Sequence, residues 1–126
     1  MRFRFDADSN HLIIRVVITG ADELEIRAVL DTGANTLVVV PSLAEALKLP
    51  KLSRTSIVST LHKDYAVSRV VIPKLVALGY EFKNMEAVVF GLSDKLDAEM
   101  LIGLKFLKKF SDLHVSFKKS YVELTR

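Results

Sequence analysis

The chain of 126 residues contains no cysteine, which excludes disulfides, thiolate nucleophiles and Cys-based zinc sites outright. Any chemistry must rest on other side chains. Glutamine is also missing, a bias met in heat-adapted proteins because side-chain amides are thermolabile. Half of the residues are apolar, yet Arg15 interrupts the segment HLIIRVVITG, and no uncharged run approaches the ~20 residues of a membrane span. Neither a span nor a signal peptide is visible, so a soluble, cytoplasmic protein with no membrane partner is expected. The formal charge of +3 is modest, and Lys and Arg are scattered along the chain. That distribution argues against nucleic acid as a ligand. The densest basic spots, LKKF and FKKS, read as solvated turns and helix faces.

Short runs rich in Val, Ile, Phe and Tyr, with period-two alternation in RFRFD, LEIRAVL and HVSFKKSYVEL, predict strands. Turns are expected at Gly20 to Asp22, at Leu78-Gly79 and at Lys118 to Ser120. IVSTLHKDYAVSRVVIP, ending at Pro73, predicts a long hairpin turning near His62 to Asp64. Two segments carry helical signals. SLAEALKL begins with Ser42 and has Glu45 three residues on, the pattern of a capping box, with Pro50 as its stop. LKFLKKF follows Gly103. The expectation is one mostly β domain over residues 1–126. RAVLDTGANTLVVV and AEMLIGLKFLKKF share a loose pattern of apolar strand, Gly-containing turn and apolar segment, a faint internal duplication.

The stretch AVLDTGANTLVVV sets Asp31 between apolar runs, where a charge without a partner would cost several kcal/mol if buried. An apolar strand ending in Asp-Thr-Gly delivers a carboxylate to a tight turn. There the glycine admits close backbone approach and its N–H can point back at the carboxylate. The bare tripeptide arises by chance in roughly one chain in forty of this length, and by itself it reads as an Asx-turn residue completing a hairpin.

With its context, the sequence resembles the retropepsin family of aspartic proteases, single-domain relatives of pepsin that include the retroviral proteases. The resemblance rests on Leu30-Asp31-Thr32-Gly33-Ala34-Asn35, followed well downstream by Leu101-Ile102-Gly103 and the segment LKFLKKF, with a hairpin between them. It implies an all-β, closed, barrel-like acid-protease fold with two short helices, one half of a pepsin-like bilobal enzyme. It also implies that Asp31 is catalytic, that Thr32, Gly33, Ala34 and Asn35 form the active-site loop, and that Leu101, Ile102 and Gly103 support it. Thr60, Leu61, His62, Lys63, Asp64 and Tyr65 would form a flap. One Asp-Thr-Gly per chain then implies a homodimer, a polypeptide substrate, and no metal or cofactor.

The chain departs from the retroviral pattern in having no glycine between Gly33 and Gly79. The flap is therefore expected to be stiffer, shorter, or turned through Asp64 or another residue that tolerates positive φ. A non-catalytic dimerisation or peptide-binding module on the same scaffold is the alternative reading. His11, His62 and His114 lack ligand-like spacing, GLSDKLDAEM lacks the glycine and alternation of a calcium loop, and no serine sits in a nucleophile elbow.

Overall fold

Alternating branched and polar side chains put most of the chain into strands. In the computed structural model, which describes residues 1–126, strands make up 53% and helices 10%, so the all-β expectation holds. In chain order the elements are β1 (Arg2–Arg4), β2 (Ile13–Thr19), β3 (Glu23–Leu30), β4 (Leu37–Val39), α1 (Pro41–Ala46), β5 (Lys51–Ser59), β6 (Asp64–Ala77) and β7 (Tyr80–Val89). A 3-10 turn at Asp94–Leu96 leads to β8 (Met100–Ile102), α2 (Leu104–Leu107), β9 (Asp112–Ser116) and β10 (Tyr121–Thr125).

Six strands close a barrel in the order β2-β3-β8-β4-β7-β6, because β6 returns to pair with β2. The length of β6 makes this possible. Its second half pairs with β2 through Lys74, Leu75 and Val76, while its first half extends past the barrel to pair with β5. Closure removes the sheet edges that would otherwise invite pairing with other chains. The expected turns at Gly20 to Asp22 and Leu78-Gly79 join β2 to β3 and β6 to β7. Leu78 and Gly79 both take left-handed backbone, φ 53° and 83°, the combination a two-residue hairpin turn requires.

Branched and aromatic residues fill the interior, with Ile18, Ile72, Leu75, Met100 and Ile102 fully buried, and no polar or charged residue is buried. Phe82, Phe106 and Phe110 pack edge-on or tilted against one another, with ring centroids 4.8 to 6.0 Å apart. A smaller cluster of Val38, Val67 and Val88, flanked by Tyr65, Phe90 and Leu101, lies apart from this core.

Two local expectations are corrected. Ser42 does not cap α1: Pro41 occupies its first turn, Val40 is the N-cap, and no side chain bonds the free amides. Proline's fixed φ starts a helix without a polar cap. Nor does Pro50 end α1. Lys48, at φ 48°, turns the chain, and the amides of Lys48 and Leu49 donate back to the carbonyls of Glu45 and Ala44, a Schellman closure with lysine where glycine is usual. Strands β1 and β10 pair with one another, Arg2 opposite Glu123, in a three-stranded sheet with β9; in the protomer the two chain ends are already joined. The C-terminal turn lies where expected, with Ser120 at φ 56°.

Arg27 ties this outer region to the barrel. Its guanidinium lies 3.0 Å from Asp6 and 3.5 Å from Asp97, offsetting the like charge of Arg15 directly across the β2–β3 ladder. The hydrogen bond from Arg27 holds the Asp6 carboxyl below its ordinary value of 3.8. A carboxyl depressed on folding stabilises the fold above that ordinary value, and the stabilisation is lost as pH falls through the lowered one. Wild type is therefore expected to exceed Asp6→Asn in urea midpoint at pH 7, with the gap closing by pH 3. An equal gap at both values would refute the pairing.

Candidate active site

The loop bearing Asp31 starts where β3 ends, and its position is set by a parallel neighbour. β3 and β8 pair as Ala28 with Met100, Val29 with Leu101 and Leu30 with Ile102, and the amide of Asp31 then donates to the carbonyl of Ile102 at 3.0 Å. The two stretches that suggested a duplication thus lie side by side, with Asp31 and Gly103 at equivalent positions.

Past Asp31 the chain turns tightly. The amide of Gly33 donates to Oδ1 of Asp31 at 2.8 Å, and the amide of Ala34 donates to the carbonyl of Asp31 at 3.2 Å. The carboxylate is therefore half-buried and oriented by main chain, while Thr32, Gly33 and Asn35 are exposed. From the other side, α2 clamps the loop. Its first amides, on Leu104 and Lys105, donate to the carbonyls of Ala34 and Asn35 at 2.7 and 2.9 Å, using donors that a helix start leaves free. Gly103 makes this approach possible: a Cβ there would meet the carbonyl oxygen of Thr36 at 2.5 Å, its nitrogen at 2.7 Å and the carbonyl oxygen of Ala34 at 2.8 Å. Ile102 is fully buried in the main core, and Leu101 points to the smaller apolar cluster.

The hairpin of β5 and β6 turns at Thr60 to Lys63, starting two residues and ending one residue before the expected His62 to Asp64, and Asp64 belongs to β6, paired with Ser59. No residue of the tip has positive φ, so the expected turn through Asp64 is corrected. The Thr60 hydroxyl organises the tip instead, donating to the Lys63 carbonyl at 2.9 Å and accepting from the amides of His62 and Lys63 at 3.3 Å. The hairpin is not short, since its ladder runs from Ser59–Asp64 to Thr55–Ser68. Tyr65 packs edge-on against Phe90, 5.5 Å between centroids, and Lys63 lies over the Tyr65 ring. Leu61 at the tip is wholly exposed, and Ile57 is 65% exposed.

No group of three or more His, Asp or Glu is placed to hold a metal ion. The contribution of α2 was missed in the sequence; its signal was a glycine directly before a helical segment.

A family model described as aspartyl protease matches residues 14–106. The chain belongs to the aspartyl protease family. The matched segment of this aspartyl protease runs from β2 to α2 and includes the Asp31 loop, the hairpin and the α2 clamp. Its fold is similar to the crystal structure of a retropepsin-like aspartic protease from Rickettsia conorii, with 24% identity, a TM-score of 0.67, and coverage of 98% of this chain and 88% of that one. A search of curated proteins finds no match.

The contact at Gly103 yields a direct test. Because the atoms that would meet a new Cβ are backbone, Gly103→Ala is expected to lower stability by about 1–3 kcal/mol. Gly91→Ala, where nothing lies within 4 Å, should change it by less than about 0.5 kcal/mol. Urea unfolding of both variants provides the measurement, and equal midpoints would remove the clamp from the account.

Proposed function

We propose that the protein is a homodimeric aspartic endopeptidase, with one domain of residues 1–126 per subunit and Asp31 as its catalytic residue. The observation that carries this reading is the oriented carboxylate: Asp31, held by the Gly33 amide at the end of a barrel strand, on a loop clamped from behind by α2. The sequence contains a single Asp-Thr-Gly, so a second carboxylate comes from a second copy across a twofold axis.

Two carboxylates brought face to face across such an axis share one proton, since both cannot ionise together, as in aspartic proteases generally. The ionised member takes a proton from a water between them while the protonated member polarises the scissile carbonyl. The water oxygen attacks the carbonyl carbon, and the acid and base exchange roles as the amine leaves with a proton. The main-chain bonds at Asp31 serve this chemistry by fixing the carboxylate before substrate arrives. In this reading Thr32, an exposed residue of the loop, bonds across the axis and braces the paired loops. An extended polypeptide lies between these loops and the Thr60–Tyr65 flap, and its backbone supplies the strand-like hydrogen bonds. The exposed Leu61 and Ile57 give the flap an apolar surface to close with. No step requires a metal or cofactor.

Two measurements test this. Cleavage of an unfolded protein at pH 4 to 6 is expected to fall about 10³-fold in Asp31→Asn while the dimer persists in sedimentation; equal cleavage by both forms would identify a contaminant and overturn the assignment. Specific activity is also expected to rise with protein concentration until dimers saturate, and activity per chain independent of dilution in a monomeric sample would exclude the shared site.

A further inference from the structure

Where the active loop runs into β4, the protomer has a cavity of about 370 Å³ between β4, β6, β7 and α2. Its polar lining consists of Thr36, Arg69, Asn84, Glu86, Lys105 and Lys109. Glu86 is already neutralised, in contact with Arg54 and 3.6 Å from the Arg69 Nε. The Arg54 hydrogen bond and the two guanidinium charges hold its carboxyl below the usual range. Lys105 and Lys109 have no ion-pair partner, so three cations face one carboxylate. The Arg69 side chain is only 18% exposed; its Nη1 donates to Ser56 Oγ and its buried Nε faces Glu86 just beyond hydrogen-bond reach, so the guanidinium keeps donors that an incoming acceptor can satisfy.

We propose that this cavity receives a carboxylate side chain of the polypeptide substrate, so that the enzyme selects chains carrying Asp or Glu a few residues from the scissile bond. This rests on the endopeptidase reading. Thr36 follows Asn35 directly, and the amide of Lys105 is bonded to Asn35, so the cavity begins at the end of the loop that holds Asp31. An extended substrate advances about 3.3 Å per residue, which brings a side chain a few positions from the reacting bond to its mouth. A carboxylate suits the site because planar guanidinium and ammonium donors bind it with charge-assisted hydrogen bonds. A twofold dimer presents the cavity twice, and the preference falls on both sides of the cleaved bond.

The experiment compares peptides in which Glu or Gln is placed at one position at a time, up to about five residues either side of the cleaved bond, at low salt. Wild type is expected to favour Glu about tenfold in kcat/KM at one position on each side, mainly through KM. In Lys105→Gln/Lys109→Gln the ratio of Glu to Gln cleavage should fall to about one. Lys109→Glu, a single change at an exposed position, serves if the double variant does not fold: it leaves two cations facing two carboxylates, and the ratio of Glu to Gln cleavage should again fall to about one. Equal cleavage of Glu and Gln peptides by wild type at every position would overturn the inference while leaving the protease reading intact, as would a preference unchanged in the variants. If wild type cleaves no peptide, the endopeptidase reading fails first. The cavity is then judged by anisotropy of labelled Glu and Gln peptides on Asp31→Asn: tighter Glu binding supports it, and equal binding overturns it.

Discussion

The arrangement depends on one constraint: the main chain around Asp31 must be satisfied from within the protein so that its carboxylate can face outward. Unpaired backbone groups at the end of a buried strand would be costly. β8 and α2 supply the partners. Ile102 accepts from the Asp31 amide, and the first two amides of α2 donate to the carbonyls of Ala34 and Asn35. The loop is thus held by four residues of one continuous segment, Ile102 to Lys105, in which the only side chain able to obstruct the approach is missing because residue 103 is glycine. Strand, turn and helix start each leave polar groups free at the point where they meet.

This local solution is stable only because the barrel is closed around it. β3 and β8 are parallel and buried, and parallel neighbours need a covered connection between them. The chain provides it by travelling through β4, the hairpin and β7 before returning as β8. Pro73, in the middle of β6, removes one ladder amide. The adjacent pairs Ile72–Met85 and Lys74–Lys83 still form, with Asn84 opposite the proline in left-handed backbone at φ 54°. The register is therefore kept across the proline, beside the cavity that Asn84 lines.

Much of this was legible in the sequence because the relevant signals are local. Alternation in LEIRAVL, the turn at Leu78-Gly79 and the Asp-Thr-Gly turn each depend on a few neighbouring residues, and each lies where it was expected. The errors arose where a distant contact or a competing local signal decides. Ser42 and Glu45 match a capping box, yet Pro41 starts the helix one residue sooner and moves Ser42 inside it. Lys48 takes a left-handed conformation that its residue type disfavours, because the chain must return Leu49 to the core. The hairpin tip needed no positive φ since the Thr60 hydroxyl replaces backbone bonds. The clamp by α2 joins residues far apart in sequence, so only the glycine before the helix hinted at it.

The same short helix touches both the Asp31 loop and the cationic cavity. Its backbone amides face the loop of Asp31, while Lys105 and, just beyond it, Lys109 face the cationic cavity. Phe106, between them, is 2% exposed and packs on Phe82 and Phe110, which fixes the rotation of the helix about its axis. With that rotation fixed, the amides cannot reach Ala34 and Asn35 unless the lysines also lie along the cavity. A change in the aromatic packing would then shift the carboxylate and the cationic lining together. The loop of Asp31 and the cationic lining are therefore mechanically linked through the short segment from Leu104 to Lys109, so that on the proposed reading the position of the single acid and the recognition of a remote charge are set together.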